Sequence, residues 1–257
     1  MNKDTTYTLI FWLIFTVLLE ILVILFRETL YPIQASEQAI FIDNAFVLLT
    51  VLAVPIFTLV CVMITYSLIK FRGGNKIPDK EWNDSKTNRM WGWSWLIWST
   101  ALCLVVVVHP GYTGIKELHA TMFDEPDLTI NVTGQRWQWK YEYLDDDHKE
   151  TVLTLKRKDD VLILPNESLI RFIVTAPEND VLHSFWIPAF RLKVDAVPGL
   201  ITSMDVNTNR IGGFEEDINY RVQCAEMCGI GHAPMTSNIN VVEKTEFNKW
   251  LEENIQK

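Results

Sequence analysis

Three apolar runs fill most of the first 108 residues, and they constrain the fold before anything else does. Residues 9–26 are apolar except for Thr16 and Glu20, residues 45–69 form a second run, and residues 91–108 a third. The shortest of these, 18 residues, makes a helix about 27 Å long at about 1.5 Å per residue, enough for a bilayer core with little tilt. Buried helices of soluble proteins reach this apolarity singly. Three of them ahead of a polar remainder predict membrane spans.

The loop at residues 70–89 carries Lys70, Arg72, Lys76, Lys80, Lys86 and Arg89. So basic a loop stays cytoplasmic, which sends the third span outward and puts everything after His109 outside. Trp91, Trp93, Trp95 and Trp98 near the inner end of that span read as an interfacial belt. The first run has two readings, a signal sequence ending near residues 33–35 or a retained third span. Its length and Glu20 favour the span. Glu20 itself is left as a functional group or a contact to a neighbouring subunit.

Charge divides the chain as sharply. Up to Pro110 there are eight acidic and eight basic residues, and from Gly111 onward 24 and 15, so the second part carries the whole net charge of −9. That acidity suits a basic partner steered in by its field, or serves solubility alone. It argues against nucleic acid. Short β-branched and aromatic segments at residues 128–132, 137–143, 151–155, 161–164, 168–175, 218–223 and 237–242 alternate with turns. They predict a small β-sandwich or barrel. Residues 245–255 read as an amphipathic helix with Thr245 as its cap and Phe247, Trp250 and Leu251 inward. The expected division is residues 1–44 as an extra apolar segment and outer loop, 45–110 as a helix hairpin, and 111–257 as an extracytoplasmic domain.

The chemistry concentrates in Cys224-Ala-Glu-Met-Cys-Gly-Ile-Gly-His-Ala-Pro-Met235. Gly229, Gly231 and Pro234 make this a loop, free to turn Cys224, Cys228, His232 and Met235 toward one point. Thiolate, imidazole and thioether together suit copper best. His183, in Asp-Val-Leu-His-Ser-Phe-Trp-Ile-Pro, supplies a second imidazole. The rival is a structural Cys2His2 zinc, against which Met235 counts. Cys61 and Cys103 lie in apolar runs and read as small buried hydrophobes. His109, His119 and His148 read as solvated or interfacial. No Cys-x-x-Cys-His occurs, so no covalent c-type haem is expected.

Cys-x-Glu-x-Cys-x3-His-x2-Met resembles the binuclear CuA motif in subunit II of the haem-copper cytochrome c oxidases. Residues 182–188, 192–199 and 134–143 are similar to that family too. The resemblance implies a membrane-anchored α+β chain, with N-terminal transmembrane helices followed by a cupredoxin-type Greek-key β-barrel. It implies two coppers bridged by Cys224 and Cys228, with His183 and Met235 on one, and His232 and the Glu226 carbonyl on the other. The Glu226 side chain would reach a magnesium at the contact with subunit I, which the Asp195 segment also approaches. Trp137 would receive the electron from cytochrome c, and Asp145, Asp146 and Asp147 with Glu142 would attract a lysine-rich donor. Trp139, Tyr141 and Tyr143 are read as core.

The resemblance further implies subunits I and III as partners and the bacterial or archaeal plasma membrane as the location. Two positions depart from the family pattern. Arg136 stands where the family has Gln, pointing to a less basic cytochrome or a small copper protein as donor. Asn88 stands three residues before Trp91 where the family has Glu, leaving Glu81 or Asp84 for proton uptake. Rival readings are a copper-free quinol oxidase subunit II, the copper subunit of a nitric oxide reductase, and a membrane-tethered copper carrier. The intact ligand set speaks against the first.

Overall fold

A computed structural model describes residues 3–70, 72, 85–121, 123–145, 147, 149–157 and 159–255, without the side chains of residues 28 and 85–88. Lys76, Lys80, Glu81, Asp84, Asp146 and His148 lie outside the described residues, as do the side chains of Lys86 and Asn88. The chain divides into two compact units, Met1–Tyr31 with Asn44–Lys116, and Pro32–Asp43 with Glu117–Lys257.

The first unit is helical. It holds α1 (Lys3–Leu25), α2 (Arg27–Leu30), most of α3 (Glu37–Lys70) and α4 (Ser85–Val106). Lys3–Leu25, Glu37–Lys70 and Arg89–Leu118 are each long and apolar enough to cross a membrane. After α4, His109 leaves helical geometry (φ −140°, ψ 117°) before α5 (Thr113–Leu118). Pro110 is the cause, because a proline pushes the residue before it out of the α region. Polar contacts join α1 to α3 among the apolar side chains between them. Trp12 Nε1 donates to the Pro55 carbonyl at 2.8 Å, and the Thr16 and Thr58 hydroxyls meet at 2.6 Å. The Tyr66 hydroxyl donates to Asp4 at 2.7 Å, and Lys70 lies 3.2 Å from the same carboxylate. Cys61 and Cys103 are exposed on these helices, not buried as expected. An apolar run in lipid turns its small hydrophobes outward as readily as inward.

At 34 residues α3 rises about 51 Å, well beyond a core of about 30 Å. Its first residues belong to the second unit. There the Arg191 guanidinium takes Asp43 in two hydrogen bonds of 2.8 and 2.9 Å. It also donates to the carbonyls of Pro188 at 2.7 Å, Ile33 at 3.1 Å, and Pro32. Ser36 and Ala35 add bonds to the Phe190 and Ala189 carbonyls. The stretch read from sequence as an outer loop is thus stapled into the β-domain.

The β-domain has two sheets. One runs β3 (Thr151–Leu155), β2 (Gln138–Leu144), β1 (Leu128–Gln135), β5 (Leu169–Thr175), β8 (Thr202–Asn207). The other runs β4 (Leu162–Pro165), β11 (Thr236–Val242), β10 (Arg221–Cys224), β6 (His183–Ile187), β7 (Leu192–Ala196), with β9 (Gly212–Gly213) on β11. Burial alternates residue by residue along β2, β5 and β11, as strands with one face on a core require. Phe172, Phe185, Ile187, Phe190 and Val222 fill the space between, and Trp139, Tyr141 and Tyr143 are buried as expected.

The closed barrel is not realised. The strands form a curled, partly open half-barrel, in which β7 and β8 make no ladder with each other. Between them the chain turns through Pro198, which has no N–H to give a ladder, and Gly199 at φ 73°. The terminal helix α6 (Lys244–Ile255) starts one residue earlier than expected. Phe247 N–H bonds to the Glu243 carbonyl, so Thr245 is inside the helix and not its cap. Phe247 is buried there, and Trp250 and Leu251 pack against the core.

Candidate metal centre

β10 ends on Cys224 and β11 starts at Thr236, so the two strands fix both ends of the ligand loop. Their ladder closes it: Cys224 N–H bonds to the Met235 carbonyl at 3.0 Å. Gly229 at φ 107° supplies the turn that side chains resist. From β6, the fully buried His183 arrives on the neighbouring strand.

The potential ligands form a chain of contacts. His183 Nδ1 lies 3.9 Å from Cys224 Sγ, which lies 3.8 Å from Cys228 Sγ. Cys228 Sγ in turn lies 3.6 Å from His232 Nδ1 and 3.9 Å from Met235 Sδ. The Glu226 carbonyl stands 3.3 Å from Cys224 Sγ. Both cysteines are free thiols, and the ligand atoms of His183, Cys224 and Cys228 lie within 4.8 Å of one another. All six groups named from the sequence are brought together.

The donor set fits copper. Two central sulfurs with an imidazole beyond each make an elongated arrangement, and the buried Met235 thioether adds a soft ligand that a tetrahedral Cys2His2 zinc does not use. Burial, then the neighbouring Cys224, pushes the Cys228 thiol up to about 12. Burial lowers His183, only partly opposed by Asp180. Burial thus disfavours the charged forms of both the Cys228 thiol and the His183 imidazole, and metal binding would displace the Cys228 proton.

Trp137 lies over this loop. Its Nε1 donates to the Cys228 carbonyl at 2.8 Å, and its ring covers Gly229 and Gly231 so closely that a Cβ at 231 would sit 2.3 Å from Trp137 Cγ. The ring is 38% exposed, so it joins the metal loop to the surface.

The acidic run lies at the other end of β2 from Trp137. Trp137 precedes β2 and Asp145 follows it, eight residue steps that at about 3.3 Å each put them roughly 26 Å apart along an extended strand. Glu142 is paired with Lys140 at 2.8 Å. His109 Nδ1 lies 2.9 Å from the Thr113 hydroxyl within its own unit.

Sequence reading missed Asp180. Its Oδ1 lies 3.3 Å from His183 Nε2 and 3.0 Å from Arg136 Nε. Burial opposes its charge, but the Val181 and Arg136 N–H groups, His183 and the Arg136 charge hold its carboxyl below the usual value. The signal was present as a carboxylate three residues before the histidine.

A family model described as cytochrome c oxidase subunit II, periplasmic domain, matches residues 128–242. Cytochrome c oxidase subunit 2 of Saccharomyces cerevisiae is 30% identical over 246 residues, covering 89% of this chain and 90% of the yeast protein. The chain belongs to the cytochrome c oxidase subunit II family. A probable cytochrome c oxidase subunit 2 of Rickettsia prowazekii is 35% identical over 171 residues, 61% of this chain. The chain spans about half the length of that relative, the match covering 51% of it. The periplasmic domain of subunit II (CoxB) of Bradyrhizobium japonicum is 33% identical, covering 51% of this chain and 96% of that one, with a TM-score of 0.41. This member of the subunit II family is an integral membrane protein with an extracytoplasmic CuA-type domain.

Proposed function

We propose that the chain is the electron-accepting subunit of an aa3-like cytochrome c oxidase, holding two coppers and passing electrons to haem in subunit I. The supporting observation is the placement of Trp137, partly exposed on one side and hydrogen-bonded to the Cys228 carbonyl on the other. Bound copper would supply a one-electron carrier whose charge is delocalised over the thiolates. The residues do the rest. Cys224, Cys228, His183, Met235, His232 and the Glu226 carbonyl would hold the coppers, and the strands would keep these groups in place as charge changes. The Glu226 side chain is the proposed magnesium ligand at subunit I, near the Asp195 segment.

Reduction of oxygen to water on subunit I by these electrons, coupled to proton translocation, completes the proposed activity, with cytochrome c or a small copper protein as donor and subunit III in the complex. The purified chain, loaded with copper, should bind two ions and give an electron paramagnetic resonance spectrum of one electron shared between them. One copper, or a preference for zinc, would overturn this reading. In the assembled complex, Trp137→Phe should keep both coppers and slow donor oxidation at least tenfold; full turnover would remove Trp137 from the route.

A further inference from the structure

Arg136 occupies the tight turn between β1 and β2, next to Trp137. Its guanidinium does not point into solvent alone. Nε reaches Asp180 Oδ1 at 3.0 Å, the backbone N–H reaches Oδ2 at 3.1 Å, and Nη2 donates to the Asn179 carbonyl at 3.0 Å. Asp180 Oδ1 also accepts the Val181 N–H at 2.7 Å and lies 3.3 Å from His183 Nε2. The other ring nitrogen, Nδ1, faces Cys224. A histidine that gives Nδ1 to a metal keeps its proton on Nε2, and that N–H then donates to Asp180.

We infer that Arg136 is a positioning residue for the metal centre, acting through Asp180 on the His183 ring. The inference rests on the copper reading above. A carboxylate bonded to Nε2–H makes the imidazole a stronger donor and favours the oxidised metal. The guanidinium draws the same carboxylate the other way and weakens that effect. Its side chain is 49% exposed while that of Asp180 is 10% exposed, so the cation also shields the carboxylate from water. The charge at position 136 is therefore committed inward, and the donor meets a neutralised pair.

The test uses the full chain in detergent, loaded with copper, as parent, Arg136→Gln, Arg136→Lys and Asp180→Asn. Copper per chain, midpoint potential and the electron paramagnetic resonance hyperfine pattern are measured. The imidazole nitrogen resonances of His183 are recorded in the copper-free proteins. All four proteins should keep two coppers. The midpoint should fall in Arg136→Gln, rise in Asp180→Asn and stay near the parent in Arg136→Lys, and the His183 Nε2 resonance should move in Arg136→Gln. A parental potential and hyperfine pattern in Arg136→Gln overturns the inference, as do shifts of the same sign in Arg136→Gln and Asp180→Asn. If the parent itself takes one copper or prefers zinc, the copper reading fails instead. The copper-free resonances then decide whether Arg136 acts on His183, a parental Nε2 position counting against it.

Discussion

Along α1 no residue is buried, and Leu, Ile and Phe side chains cover its outside while Trp12 and Thr16 turn toward α3. Along β5 the order is reversed: Ile170, Phe172 and Val174 are buried and the residues between them are half-exposed. The same side chains are thus placed by opposite rules within one chain. Water drives apolar groups together in the β-domain, and that term vanishes between helices in lipid, where packing and a few hydrogen bonds decide the pairing. Polar contacts should therefore differ in weight between the two units.

The largest expected effect falls on the buried pair of the β-domain. Asp43→Ala leaves Arg191 with its charge uncompensated, and should destabilise that unit by roughly 3–5 kcal/mol. Denaturant unfolding of the full chain in detergent, followed by near-ultraviolet circular dichroism, measures it. A loss below about 1 kcal/mol would mean the pair is solvated like a surface one.

Alkali sharpens the contrast next. Burial pushes Tyr220 up to about 12 and Tyr141 and Tyr143 higher still. Unfolded tyrosines lose their protons near pH 10. Between these values the folded state binds more protons than the unfolded state, so β-domain stability falls as pH rises from 10 toward 12. For Tyr220 the loss approaches about 2–3 kcal/mol by pH 12. Denaturation curves at pH 8 and pH 11 should show it, and Tyr220→Phe should make the curve flatter.

The smallest effect belongs to the helices. Trp12→Phe removes the bond to the Pro55 carbonyl and should cost only about 0.6 kcal/mol, because helices separated in lipid find other partners. Steric-trap unfolding in bicelles would measure it. A cost near that of Asp43→Ala would break the comparison.

The membrane helices were legible because an apolar run declares itself residue by residue, and the ligand loop because all but one of its groups are neighbours in sequence. The Asp180–Arg136 pair was not, since the two stand 44 residues apart and meet only once β1 and β6 are packed. Trp137 and Asp145 show the converse: they are close in sequence, but an extended strand turns eight positions into distance. Residues 32–43 carried no periodic signal that would place them in the β-domain, because their anchors are Arg191, Phe190 and Ala189, all far downstream. The strand pattern did not show that both edges of the two sheets stay unjoined, β7 from β8 and β3 from β4.

The Arg191–Asp43 pair has a consequence for how the chain is made. The two residues are 148 positions apart, which a ribosome covers in about 7–30 s at 5–20 residues per second. Throughout that interval Asp43 has been synthesised and its partner has not. The contact that ties the start of α3 into the β-domain therefore becomes possible only after all three apolar runs have been synthesised.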